Sequence, residues 1–217
     1  MKIGLTGGIG CGKSTVVGLF REAGWSTIDS DTIVRELLAT DADVQAALLN
    51  RWGTDVFDES GCVNRQEIAS RVFSEASELK WLEGLLHPLV RERWERVVAK
   101  SAEANWLVEI PLLFEKRLET TFDLTVCVSC APNVVESRML ARGYSGAEIE
   151  QRRAQQMPLR QKVERADHLI SNSGSLDFLK QQTARLIAQM TAQSSILLSD
   201  LNSPNETKSV VSNMTKP

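Results

Sequence analysis

The chain has 217 residues, 42% of them hydrophobic, enough to bury a full core in one α/β domain with insertions and without a covalent staple. Its formal net charge of −3 creates no field that would draw nucleic acid to the whole surface. No run approaches the ~18 consecutive apolar residues of a membrane span, the N-terminus shows no signal-peptide pattern, and Cys11, Cys62, Cys127 and Cys130 are irregularly spaced, so a cytoplasmic chain with reduced thiols is expected.

The first apolar run, residues 3–6, leads directly into Gly7-Gly8-Ile9-Gly10-Cys11-Gly12-Lys13-Ser14, which fits G-x-x-x-x-G-K-[ST], and then into a helical pattern. A strand, this loop and a helix in succession predict a phosphate cradle. The glycines let consecutive backbone N–H groups curl around a β-phosphate, Lys13 bridges β- and γ-phosphates, and Ser14 ligates magnesium. A dinucleotide-binding fingerprint is the rival reading, because Gly8, Gly10 and Gly12 are followed about twenty residues on by Asp29 or Asp31. Lys13-Ser14 argues against it, since a pyrophosphate cradle has no use for a lysine aimed at a γ-phosphate.

A second run, residues 25–28, ends in Asp29-Ser30-Asp31. Alternation along an extended segment would point both carboxylates across the crevice at the phosphate loop, one as the base for an acceptor hydroxyl and the other near magnesium. Alternatively, one of them caps a helix beginning near Thr32. Residues 40–105 read as a helical insertion, with Val90, Trp94, Val97 and Val98 on one stripe and Asn64 and Glu67 spaced as a capping box. That insertion either holds an acceptor substrate over the sheet or only packs.

A third run, residues 106–110, places Glu109 where an acid can orient magnesium or its waters. The apolar loop that follows, Ile110-Pro111-Leu112-Leu113-Phe114-Glu115, either lines an acceptor pocket, with Leu113 in contact, or belongs to the core. Runs at 124–128 and 169–170 complete five strands of a parallel sheet with helices on both faces and a ligand crevice at the strands' carboxyl ends. Cys127 and Cys130 form a lone C-x-x-C with no second pair, which argues against a zinc site.

Between positions 133 and 165 a charged stretch predicts a mobile lid of two helices joined at Gly143 and Gly146. Within it Arg138, Arg142, Arg152, Arg153, Arg160, Lys162 and Arg165 outnumber Glu148, Glu150 and Glu164, a candidate phosphate clamp. Cys11, beside Lys13 and a helix N-terminus, is expected to favour its thiolate. Beyond about position 194 the composition predicts a disordered tail.

Taken together, Gly4-Leu5-Thr6-Gly7-Gly8-Ile9-Gly10-x-Gly12-Lys13-Ser14-Thr15, Asp29-Ser30-Asp31, His87-Pro88-Leu89-Val90, Glu109-Ile110-Pro111-Leu112-Leu113-Phe114-Glu115 and Ala166-Asp167 with Asn172-x-Gly174 resemble the dephospho-coenzyme A kinase family. Arg138, Arg142, Arg152 and Gln156 fall where that family's lid carries arginines and a glutamine. The resemblance implies a three-layer P-loop NTPase fold: a nucleotide core (1–39, 106–132 and 166–193), a helical coenzyme A domain (40–105) and a helical lid (133–165). It also implies transfer from ATP, with Mg2+, to the ribose 3′-hydroxyl of dephospho-coenzyme A by a monomer or weak homo-oligomer that binds neither membrane nor nucleic acid.

In that scheme Asp31 is the base, Lys13 steadies the transferred group, and Arg138 or Arg142 closes on its charge, unless Arg142 stacks on adenine. Gly10, Cys11, Gly12, Lys13, Ser14, Thr15, Asn172 and Gly174 would contact the nucleotide. Asp29, Asp31, His87, Glu109 and Leu113 would contact the acceptor, and Ser14, Asp29 and Glu109 the metal. Ser30 and Ser171 depart from the family's usual alanine and aspartate. Another small-molecule or nucleoside-monophosphate kinase shares the same pattern; a P-loop switch protein would need neither the acid pair nor the arginine-rich lid.

Overall fold

Strand β1 (Lys2–Gly7) runs into the glycine loop, and helix α1 (Lys13–Glu22) carries the chain back across the sheet to β2 (Ser26–Asp29). The computed structural model describes residues 1–101 and 104–201. Helix α2 (Ser30–Thr40) opens an insertion that continues through α3 (Ala42–Trp52), a 3₁₀ turn at Gly53–Val56, α4 (Arg65–Ser74) and α5 (Ala76–Ala99). The sheet resumes with β3 (Trp106–Glu109) and β4 (Leu124–Ser129), followed by α6 (Pro132–Ala141), α7 (Gly146–Ala154) and α8 (Leu159–Arg165). Strand β5 (His168–Ser171) and helix α9 (Leu176–Leu201) end the described chain.

All five strands are parallel, in the order β2-β3-β1-β4-β5. Strand order therefore reverses around β1, and the loop that follows β1 lies at the switch point where such sheets bind ligands. Alternation in β1 and β3 divides the core in two. Ile3, Leu5 and Leu107 face a cluster with Val16, Phe20 and Leu179, whereas Val108 faces Leu113, Trp94 and Phe122. Gly4 sits on this second face because Leu113 and Phe122 press on its backbone: an added Cβ would lie 2.5 Å from Leu113 Cδ1.

The insertion is helical as expected, and Asn64 caps α4 by accepting from the backbone N–H groups of Gln66 and Glu67. Its inward stripe on α5 is Leu82, Leu86, Val90 and Trp94; Val97, expected on that stripe, is exposed because the stripe advances by four residues a turn and passes to Val98.

The segment 133–165 holds three helices rather than two. Gly146 is the first residue of α7, fixed there by a capping box between Ser145 and Glu148, so it is no elbow. Helix α8 packs against β1 and β4 with Lys162 fully buried, which anchors this end of the expected lid to the sheet. Helix α9 extends to Leu201, past the expected start of the tail, and the remainder of that tail lies outside the described residues.

Candidate active site

Gly12 takes φ 87° as the cap of α1, and a Cβ there would fall 2.2 Å from Asn172 Nδ2, so only glycine lets the loop close on β5. The Asn172 amide donates to the Cys11 carbonyl at 2.8 Å, and its Oδ1 accepts from Arg138 at 3.4 Å. Asn172 is buried, so it braces the phosphate loop and orients Arg138 from below. Lys13 Nζ folds back onto the carbonyls of Gly7 and Gly8 at 3.3 Å each, a position from which it can swing to an incoming phosphate.

The loop separates two cavities. A smaller one of about 170 Å³ is bounded by Gly10, Gly12, Thr15, Arg138, Arg142 and Asn172. A larger one of about 560 Å³ opens on the other side, where Ile9 and Asp31 meet His87, Pro111, Lys116 and Arg152. Of the residues expected to bind nucleotide, Gly10, Gly12, Thr15, Arg142 and Asn172 border the smaller cavity, and of those expected to meet an acceptor, Asp31 and His87 border the larger one. Gly174 bounds neither cavity and lies against Phe178. Ser14 is exposed in the first turn of α1.

The two strand-end aspartates are arranged differently from the extended pair expected. Strand β2 stops at Asp29 and α2 begins at Ser30, so Asp31 belongs to a first helical turn. Asp29 is the cap: Oδ1 accepts from the Asp31 N–H at 2.9 Å and Oδ2 from Thr32 Oγ1 at 2.8 Å, with Arg35 at 3.5 Å. Both its oxygens thus accept a hydrogen bond within its own turn. Asp31 remains free to face the large cavity; burial and the neighbouring Asp29 charge hold its carboxyl above the usual range, opposed by Lys13 and Arg35.

Glu109 pairs with Asp29 across the β2–β3 ladder. Burial pushes it up to about 7; Lys13 opposes the shift, and Asp29 and Asp31 reinforce it. Among the described residues no cluster of three or more His, Cys, Asp or Glu could hold a metal by itself. Magnesium needs only one or two protein oxygens, the rest of its shell being phosphate and water; of the expected ligands, Ser14 offers a hydroxyl and Glu109 a carboxylate of the donor type it takes.

Leu113 is fully buried in the core against Gly4 and does not line the large cavity. His87 does line the cavity, but from the middle of α5: the helix runs unbroken through Pro88, whose missing N–H would have met the Gly84 carbonyl. Burial, then Lys116, lowers the His87 pKa, keeping the imidazole neutral. Glu83, His87 and Arg91 recur every four residues and all face this cavity, a polar stripe beside the apolar one that sequence reading missed. Lys116, also missed, pairs with Glu83 at 2.7 Å.

The seven-residue phosphate clamp resolves into separate roles. Arg153, Arg160 and Arg165 pair with Glu150, Glu164 and Glu119, and Lys162 donates to the Pro111 carbonyl at 2.6 Å. Arg138, Arg142 and Arg152 are the three that reach the cavities. Cys11, expected as a thiolate, is buried, and burial outweighs Lys13 to raise its pKa. Cys127 is pushed up to about 11, and Cys130 donates to the Asn172 carbonyl at 3.1 Å.

The family model described as dephospho-CoA kinase matches residues 1–177. A dephospho-CoA kinase of Synechococcus sp. (strain CC9902) is 39% identical over 189 residues, covering 86% of this chain and 95% of that protein. The dephospho-CoA kinase of Aquifex aeolicus (strain VF5) is 32% identical, covering 88% and 97%. Among solved structures, TT1252 from Thermus thermophilus superposes with a TM-score of 0.75 at 33% identity, over 87% of this chain and 97% of that one.

Proposed function

The chain belongs to the dephospho-CoA kinase family, and from that premise we propose that it moves the γ-phosphoryl group of ATP to the ribose 3′-hydroxyl of dephospho-coenzyme A. The observation that carries this reading is Asp31: it stands in the large cavity beside the phosphate loop, with a free carboxylate inside the charge field of Lys13. A base for an acceptor hydroxyl belongs at such a seam between the two substrates.

In this reading the small cavity takes the nucleotide, the loop N–H groups hold its phosphates, and Asn172 keeps Cys11 and Arg138 in register. The large cavity takes the acceptor, whose hydroxyl proton passes to Asp31 Oδ as its oxygen attacks phosphorus. Lys13 and Arg138 or Arg142 approach the transferring oxygens from the loop side, and Arg152 approaches from the acceptor side. Ser14 and Glu109 would hold magnesium, which would supply charge neutralisation at the phosphates when bound. Four free cysteines, three of them buried, suit the reducing cytoplasm, where we place the enzyme. Among the described residues no helix is long and apolar enough to cross a membrane.

The test is ADP release with ATP, magnesium and one acceptor at a time: dephospho-coenzyme A, adenylate, cytidylate or none. Turnover with dephospho-coenzyme A alone supports the reading. Equal turnover with a nucleoside monophosphate would assign the large cavity to a different acceptor.

A further inference from the structure

Arg152 is the lid arginine whose surroundings the proposed chemistry leaves unexplained. Its Cζ lies 5.1 Å from the centroid of the Phe73 ring and 5.0 Å from that of Tyr144. Tyr144 belongs to the lid, between α6 and α7, but Phe73 is in α4 of the helical insertion. The adjacent residue makes a second tie across the same boundary: Gln151 Nε2 donates to the Phe73 carbonyl at 3.1 Å. Arg153, next along the helix, pairs with Glu150, whereas Arg152 forms no ion pair among the described residues. It borders the large cavity together with Asp31 and Gln156.

These facts have a common physical consequence. A guanidinium attracted to ring faces keeps its N–H donors in its own plane, free for anionic oxygens, whereas a carboxylate partner would consume them. Two rings restrict the long side chain to one orientation, so little ordering entropy remains to be lost when a phosphoryl group arrives. One of those rings is supplied by the insertion, so the orientation exists only while α7 rests against α4.

We propose that Phe73 is a positioning residue for Arg152: its ring, contributed by the acceptor-side insertion, fixes the lid guanidinium toward the cavity that Asp31 faces. The inference rests on the reading above that Arg152 serves the transferring group. Phe73 borders neither cavity. It makes delivery of the lid's charge conditional on contact between lid and insertion, a local two-part assembly of the site.

The experiment is a double-mutant cycle in the full chain, reading kcat, the KM of both substrates and Tm. Phe73→Leu keeps apolar bulk but removes the ring, Phe73→Tyr keeps the ring, and each is made with Arg152 intact and in Arg152→Ala. The expected result is a fall in kcat of about 5- to 20-fold for Phe73→Leu, with ATP KM and Tm close to the parent. Phe73→Tyr retains activity, and Phe73→Leu costs nothing further once Arg152 is alanine. Unchanged kcat in Phe73→Leu, with or without a lower Tm, overturns the inference and assigns the ring to packing. An equal loss in both backgrounds also overturns it. If Arg152→Ala itself leaves kcat unchanged, the role given to Arg152 fails and this inference falls with it; loss in Arg152→Ala without loss in Phe73→Leu sinks the inference alone.

Discussion

Lys162 and Glu115 form an ion pair at 2.9 Å in which the lysine side chain is wholly sealed from water. The lysine also donates to the Pro111 carbonyl at 2.6 Å, and that carbonyl accepts from Thr6 Oγ1 at 3.1 Å, immediately before the phosphate loop. Glu115 Oε1 accepts from the Met157 N–H at 2.7 Å, while its Oε2 has no partner. Strand β1, the loop floor of the large cavity and the segment leading into α8 thus converge on one buried charge. Burial lowers the Lys162 pKa and Glu115 pulls it back.

Removing only one partner leaves the other charge buried and uncompensated, at a cost of about 3–5 kcal/mol. Glu115→Leu is therefore expected to lower the urea midpoint strongly, with an unchanged m-value. The double variant Lys162→Met with Glu115→Leu should recover most of that loss, because two apolar side chains can fill the same volume without a charge to solvate. Additive losses in the double variant would show that the pair's Coulomb attraction is not what holds this junction.

Asp31 carries a prediction about both rate and pH. Asp31→Asn should reduce kcat by about 10²- to 10⁴-fold while ATP affinity stays near the parent value. The acid limb of kcat/KM for the acceptor reports the free enzyme's base, so it should lie above the pH at which an ordinary aspartate titrates. The groups that set it are burial and Asp29, which raise it, and Lys13 and Arg35, which lower it. Arg35 is exposed and pairs with Asp29 at 3.5 Å. Arg35→Gln removes a positive charge that favours the carboxylate, so the Asp31 pKa rises and the limb moves to higher pH. A limb that moves down, or stays fixed, would mean that another group governs it.

The phosphate loop and the five strands were legible because their signals are local: a glycine spacing, a lysine-serine pair, and short apolar runs bounded by turns. The strand-end aspartates were legible as chemistry but not as geometry. Of the two readings that Asp29-Ser30-Asp31 left open, the structure realises the cap: β2 passes into α2 without a connecting loop and Asp29 caps the helix. Lys162 was illegible for a different reason. Counting charges along 138–165 cannot distinguish a solvated arginine from a lysine pressed under a sheet, since the deciding partners, Pro111 and Glu115, lie about fifty residues upstream in sequence. Leu113 failed likewise: an apolar loop residue reads equally as pocket or core until Gly4 is found beneath it.

Gly12 and Asn172 make a paired prediction about the nucleotide side. Gly12→Ala adds a methyl carbon 2.2 Å from Asn172 Nδ2 at φ 87°, so both sterics and backbone oppose it, and ATP binding should be lost. Asn172→Ala removes that clash but leaves the Cys11 carbonyl without its buried donor, a cost of about 1–3 kcal/mol in stability. Its expected signature is a raised KM for ATP with the acceptor KM near the parent. An acceptor KM that rose instead would reverse the assignment of the two cavities.

Cys11 provides the last prediction, because the structure opposes what its position in the loop suggests. A cysteine beside Lys13 and a helix N-terminus would ordinarily be a good nucleophile. Here the thiol is 1% exposed, and burial holds its pKa above the usual value. Cys127 and Cys130 are buried as well, leaving Cys62, outside both cavities, as the exposed thiol. Titration of the native enzyme with an aromatic disulfide reagent should therefore modify one thiol rapidly, at Cys62, with kinase activity retained. In denaturant all four cysteines should react. Rapid modification of a second thiol with loss of activity, absent when ATP is bound, would show that the loop opens enough to expose Cys11 and that its reactivity follows the helix terminus after all.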